Sequence, residues 1–256
     1  MNNNKTIAIV GCLHGNEEVG SVVIEKLKKL ITMSGGAGII ANQLALKRGV
    51  RFIDQDLNRS FPGKAGGNYE EKLAFQLNRI VKQYDYVIDF HSFSCQSPPF
   101  AILTRRTPGH LKLASELGVT KVVLMSSRLA SGKALIDYCR YGISIEAGKH
   151  GLKSTNNRAI GSAKRVLISS KARKIKINYY QVVDIIYKKN PDERLLKQIK
   201  NFTLVHKGEI VTSNRFGKFI APYDFYPVLA REEAYPNILC LAAKTVIIKA
   251  KKEEND

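Results

Sequence analysis

Two histidines and a glutamate stand where they can meet one ion. His14 and Glu17 lie three residues apart in GCLHGNEEVG, directly after the compact apolar run TIAIVG (6–11), and His91 ends YVIDFH seventy-four residues beyond Glu17. Both segments read as strands running into loops, and in an open α/β sheet functional side chains gather at the carboxyl ends of strands. Two imidazoles and one carboxylate make the three-ligand set of a catalytic zinc, which keeps a fourth position open for water. Nitrogen donors favour zinc over magnesium or calcium, which take oxygen shells. HxxE alone is a weak signal, and a lone strand-end histidine is more often a hydrogen-bonded structural residue than a ligand. Asp89 shares a strand face with His91 under the two-residue period and can orient its ring; a plain strand-end acceptor is the alternative.

A second polar cluster is RFIDQDLNRSFPG (51–63), in which Arg51 and Arg59 flank an acidic stretch and Asn58 adjoins Arg59. Arginine forks match carboxylates in bidentate fashion, so the segment suits recognition of an anionic group. A surface loop whose arginines pair with Asp54 and Asp56 is the other reading.

Positioning these groups requires a sheet. Val19, Val22, Val23, Leu27, Leu30 and Ile31 recur at helical spacing, with Lys26, Lys28 and Lys29 between them. Ser34 to Gly38 break that helix, and GIIANQLAL is predicted as the second strand. The spacing predicts another helix over 69–83, with further strands at 86–90, 100–104, 121–125 and 143–147. Strands alternating with helices point to a parallel or mixed sheet with helices on both faces. Near residue 174 the pattern changes to short β-branched and aromatic runs between turn signals, interrupted by a helix expected at 191–200 (PDERLLKQIK). The expected division is therefore an α/β catalytic unit, 1–173, and a small all-β unit, 174–256.

The 256 residues suit one large domain or a main domain with a small companion, and 44% hydrophobic with 25% charged residues excludes a wholly disordered chain. No apolar run approaches the roughly 20 residues of a membrane span, and the start is too short in apolar residues for a signal peptide. Cys12, Cys95, Cys139 and Cys240 are scattered, which argues against a disulfide framework or a cysteine zinc site and for a cytoplasmic protein. The net charge is +19, from 41 Lys+Arg against 22 Asp+Glu, and nine basic residues without one acid fall between Ala147 and Val183. Such a field can draw acidic substrates to a cleft, bind nucleic acid, or simply be solvated. The stretch carries no nucleic-acid fold motif and only Tyr179 and Tyr180 as stacking residues, so a nucleic-acid partner is not expected.

GxHGNE, RFIDQDLNRSFPG, DFH and IEAG, in that order, followed by FYPVLAREEAYPN and AAKTVII, resemble the aspartoacylase and succinylglutamate desuccinylase family of zinc-carboxypeptidase-like hydrolases. The resemblance implies a zinc-carboxypeptidase-like mixed sheet flanked by helices, with a smaller C-terminal all-β domain over the cleft. It implies one zinc per chain, held by His14, Glu17 and His91, with Glu146 of IEAG as the catalytic carboxylate and Arg51 polarising the scissile carbonyl. Asn58, Arg59 and Tyr235 would hold the substrate's α-carboxylate. The activity implied is deacylation of a small anionic N-acyl amino acid by hydrolysis of a linear amide bond. A metallocarboxypeptidase acting on peptides, or a basic binding protein on a degenerate hydrolase scaffold, are the alternatives; self-association is left open. One departure stands out: the family carries a further substrate-contacting arginine shortly before the catalytic glutamate, and here Lys133 and Arg140 are the nearest basic residues.

Overall fold

The computed structural model describes residues 5–126, 129, 132–168, 175–215 and 217–248. The elements in chain order are β1 (Ile7–Gly11), α1 (Val19–Met33), β2 (Ala37–Ile40), α2 (Gln43–Arg48), α3 (Tyr69–Val81), β3 (Tyr86–Phe93), β4 (Phe100–Leu103), α4 (Pro108–Leu117), β5 (Lys121–Leu124), β6 (Tyr141–Lys149) and α5 (Lys153–Leu167). They continue with β7 (Asn178–Tyr187), β8 (Ile210–Asn214), β9 (Gly217–Ile220), β10 (Tyr226–Val228) and β11 (Ile238–Val246). Among the described residues nine strands form one mixed sheet, ordered β10-β11-β7-β5-β4-β6-β3-β1-β2, while β8 and β9 make a separate antiparallel pair.

The two-residue period of the strands sorts side chains between two cores. Ile7 and Ile9 of β1, with Ile88 and Phe90 of β3 and Ile143 and Ile145 of β6, pack under α1, α4 and α5. Ala8, Val10 and Val87 face the opposite way, against Leu57, Phe61 and the α3 residues Ala74 and Leu77. β3 and β6 are parallel with His91 opposite Glu146 and Asp89 opposite Ser144, so these four residues share the face away from α5. Buried strands with apolar residues on both faces are the ordinary signature of a covered parallel sheet.

Two expected elements differ. The second strand ends at Ile40; Asn42 then caps α2 by accepting a hydrogen bond from the Ala45 N–H at 3.1 Å, so NQLAL is helical rather than extended. Residues 191–200 form turns and a β-bridge between Leu195 and Thr212 instead of a helix. The carbonyls of Leu195, Leu196 and Ile199 accept from the Arg231 guanidinium, and the buried Glu193 carboxylate accepts from Thr212 Oγ1 at 2.6 Å. Distant partners have taken the groups a helix would use internally.

The expected boundary at residue 173 lies outside the described residues. On either side of it the hydrogen bonding runs on, because β7 pairs in parallel with β5 and antiparallel with β11. The C-terminal part nevertheless has an apolar cluster of its own, which includes Leu195, Ile199, Val211, Phe225 and Leu239. No helix among the described residues is long and apolar enough to cross a membrane.

Candidate metal centre and substrate cavity

The HGNE turn that follows β1 is held down by its glycine. A Cβ on Gly15 would lie 2.1 Å from the Ala45 carbonyl carbon, so only glycine lets the turn lie against α2. The Gly15 N–H donates to the Arg51 carbonyl at 3.1 Å, which fixes the arginine segment beside the turn.

His14, Glu17 and His91 are buried, and their candidate ligand atoms all lie within 4.8 Å of one another. His14 Nδ1 is 2.8 Å from Glu17 Oε1, and His91 Nδ1 is 2.9 Å from Glu17 Oε2. The outer ring nitrogens are also engaged: His14 Nε2 lies 3.0 Å from Asp56 Oδ1, and His91 Nε2 lies 2.5 Å from Asp89 Oδ2. Carboxylates behind both imidazoles fix ring orientation and leave Nδ1 directed at the common point, as in histidine–metal sites. The donor set fits zinc.

Electrostatics follow from this packing. Burial disfavours the charged form of both histidines, yet the carboxylates around them prevail: Asp89 and Glu17 hold His91 well above its usual value, and Glu17 and Asp56 raise His14. Burial opposes ionisation of Glu17 too, but the facing His14 and His91 keep it well below the usual carboxylate range. The surrounding carboxylates thus favour protons on the imidazoles of the metal-free protein, and any proton on a ligating nitrogen must leave for a metal to bind. Metal affinity is expected to rise with pH, with proton release on binding; calorimetry in buffers of different ionisation enthalpy measures this directly. Equal apparent heats in all buffers would contradict it.

Arg51 lies against the same cluster. Its Nη1 donates to Glu17 Oε1 at 2.9 Å and its Nη2 to Asp56 Oδ2 at 3.2 Å. Asp56 also accepts from the Asn58 N–H at 2.8 Å, capping the short 3-10 turn Leu57–Arg59. Arg59 Nη2 donates to the Tyr235 hydroxyl at 3.3 Å across the two parts of the chain. Asn58 Oδ1 accepts from the Leu135 N–H at 2.9 Å, which leaves its amide nitrogen as a donor. Burial raises the Tyr235 pKa, so it remains a neutral hydroxyl.

The whole segment is gripped by Glu70, buried in the first turn of α3. Its carboxylate accepts from the N–H groups of Ile53, Asp54 and Gln55 at 2.7, 2.9 and 3.3 Å and from Asn42 Nδ2 at 3.0 Å. A buried carboxylate is tolerated where donors surround it. Glu70→Gln puts an NH2 group among donors and should cost about 1–3 kcal/mol, read from denaturant unfolding. A change below about 0.5 kcal/mol, the range of an ordinary surface substitution, would show that other contacts hold the loop.

One cavity of about 300 Å³ is lined by His14, Glu17, His91, Arg51, Asn58, Arg59, Glu146 and Tyr235 together. Burial pushes the Glu146 carboxyl up to about 8, with the charges of Glu17 and Glu232 adding to it. Glu232, unremarked in the sequence, lines the cavity and accepts from the Ser94 N–H at 3.0 Å. Asp56, Glu70 and Glu232 carried little signal beyond being acids beside recognisable motifs. The neighbouring basic residues stay outside the cavity. Lys133 is exposed, Arg140 pairs outward with Asp85 at 2.6 Å, and neither lines the cavity. None of the described basic residues of 147–183 lines it either; those on α5 lie on the opposite face of the sheet from Glu146. Lys171, Arg173 and Lys174 lie outside the described residues. His150 Nδ1 lies 2.8 Å from the Ser92 hydroxyl.

Comparison with known proteins agrees with this geometry. The succinylglutamate desuccinylase/aspartoacylase catalytic-domain profile matches residues 3–168. A probable aspartoacylase of Trichodesmium erythraeum (strain IMS101) is 26% identical over 161 residues, covering 56% of this chain and 55% of that protein. An N-acyl-aromatic-L-amino acid amidohydrolase (carboxylate-forming) of Xenopus tropicalis is 33% identical over 105 residues, 34% of this chain and 33% of that protein. The match thus spans about half the length of the first relative and a third of the second. The crystal structure of murine aminoacylase 3 superposes with a TM-score of 0.80 at 18% identity, covering 96% of this chain and 97% of that one, a likeness of fold. By its catalytic-domain profile, supported by the order of its motifs and their meeting in one cavity, the chain belongs to the succinylglutamate desuccinylase/aspartoacylase family.

Proposed function

We propose that this chain is a zinc-dependent amidohydrolase that deacylates an N-acyl amino acid, releasing a carboxylate and the free amino acid. The observation that carries the reading is that three metal-ligand candidates, the Glu146 carboxyl and the Arg59 guanidinium line one cavity. Zinc held by His14, Glu17 and His91 supplies, when bound, a Lewis acid for the amide carbonyl and lowers the pKa of water toward about 7.

The chain's own residues do the rest. Glu146, which has no hydrogen-bond partner among the described residues, takes a proton from the attacking water and returns it to the leaving amide nitrogen. Burial raises this carboxyl to about 8 in the metal-free site, and a bound cation would bring it back toward neutrality, where it can both take and give a proton. Arg51 stabilises negative charge developing on the carbonyl oxygen. Arg59, the Tyr235 hydroxyl and the Asn58 amide hold the α-carboxylate, so the scissile bond is presented in one orientation. Glu232, Leu229 and Tyr235 from the C-terminal part line the cavity, and this enclosure favours a small N-acyl substrate over a peptide lying in an open groove. The described C-terminal residues on the cavity act as its cover. Retention of all three ligand candidates and Glu146 speaks against a degenerate binding scaffold. Four unpaired cysteines suit a reducing, cytoplasmic setting.

The test is amine release from N-acetyl and N-succinyl amino acids by zinc-loaded protein. Tyr235→Phe should raise KM about tenfold, the effect of one hydrogen bond to a charged group, with kcat nearly unchanged. An unchanged KM would place Tyr235 outside the carboxylate grip.

A further inference from the structure

Away from its reacting end the cavity is walled by hydrocarbon: Ile102, Met125, Ala134, Ile136, Leu229 and Leu241 all line it. Among the described residues the arginines and lysines on the cavity are Arg51 and Arg59. Both already have work in the proposed reaction, Arg59 on the α-carboxylate and Arg51 on the carbonyl oxygen, and both lean on protein partners, Arg51 on Glu17 and Asp56 and Arg59 on the Asn58 carbonyl and Tyr235. The acids on it are Glu17, Glu146 and Glu232. A substrate bringing a second carboxylate would leave water for an apolar wall without a free counter-ion among the described residues and with Glu232 on the same cavity. Burying an unpaired charge in that way is strongly unfavourable.

The wall also adjoins the grip on the α-carboxylate. Ala134 and Ile136 flank Leu135, whose N–H holds Asn58 at 2.9 Å, and these two side chains pack with Ile102. A substrate Cα held beside Asn58 and Arg59 therefore projects its side chain onto hydrocarbon. Resting on the deacylase function proposed above, we infer that the apolar part of the cavity takes the amino-acid side chain, so the substrates are N-acyl amino acids with aliphatic or aromatic side chains, not those bearing a second carboxylate.

The experiment compares kcat/KM of the zinc-loaded protein for N-acetyl-L-leucine, N-acetyl-L-phenylalanine, N-acetyl-L-aspartate, N-succinyl-L-glutamate and N-acetylglycine, with N-octanoylglycine varying the acyl chain alone. The leucine or phenylalanine derivative should exceed the aspartate derivative at least about tenfold, as differences of a few methylene contacts do. Ile136→Arg should narrow or invert that preference. Should that variant not fold, calorimetric binding to zinc-loaded Glu146→Gln supplies the same comparison, with N-acetyl-L-leucine binding more tightly than N-acetyl-L-aspartate. Fastest turnover of N-acetyl-L-aspartate or N-succinyl-L-glutamate would overturn the side-chain assignment while upholding deacylation. Octanoylglycine preferred over acetylglycine, with leucine and glycine derivatives treated alike, would also overturn it, placing the acyl chain on the wall. No amine released from any of them would overturn both readings.

Discussion

Glu146→Ala should lower kcat by about 10²–10⁴-fold, the usual range for removing a general acid–base group, with bound zinc retained at one ion per chain. The two readouts separate because Glu146 lies opposite His91 on the neighbouring strand but is not one of the three residues whose ligand atoms converge. Its half-buried carboxyl lines the cavity, where desolvation raises it to about 8, so the variant loses the proton carrier and keeps the metal cluster intact. Removing a carboxyl whose ionisation Glu17 and Glu232 oppose should also leave stability unchanged or slightly increased. Equal turnover in variant and parent would remove Glu146 from the reaction; loss of zinc along with activity would recast it as part of the metal site.

His91→Ala should lower zinc affinity by more than about 100-fold and abolish turnover at zinc concentrations that saturate the parent. The scale comes from the outer carboxylates, whose loss in metal sites typically costs about 10–100-fold; Asp89→Asn, which weakens only the support of the His91 ring, should fall in that lower range. Removing the imidazole takes away a ligand and also leaves Asp89, which is fully buried and has Oδ1 unpartnered in the described structure, with the Ser144 hydroxyl at 3.3 Å as its side-chain donor. Breaking a buried charge pair in this way costs about 3–5 kcal/mol at most. The variant should therefore unfold more easily even without metal. Competition against a chromophoric chelator measures the affinities, and near-parental zinc binding by His91→Ala would show that the metal sits elsewhere.

The residues that do chemistry were more legible than the framework that aims them. TIAIVG reads as a buried strand because both its faces meet hydrocarbon, and HGNE, DFH and IEAG follow or end strands in a fixed order. Asp56 and Glu70 could not be assigned in that way. Asp56 stands behind His14 from forty-two positions away, and Glu70 collects three consecutive backbone N–H groups only once α3 has packed under the arginine segment. Propensity failed where tertiary contacts outbid it: Arg231 captures the carbonyls that would have made 191–200 a helix, and the Asn42 cap turns a strand-like apolar run into α2. The apolar wall is also a tertiary product, since Ile102, Ile136 and Leu229 come from three distant segments. The net charge of +19 says little about the site: among the described residues the cavity holds two arginines, Arg51 and Arg59, and the lysines of α5 lie on the far face of the sheet.

The most direct measurement is a zinc titration of chelator-stripped protein, followed by amine release from N-acetyl-L-leucine or whichever N-acyl amino acid the panel shows to be turned over fastest. The metal-ligand assignment predicts no release without metal and a rise that saturates at one zinc per chain. Full activity in the stripped protein, or none at any zinc concentration, would contradict it.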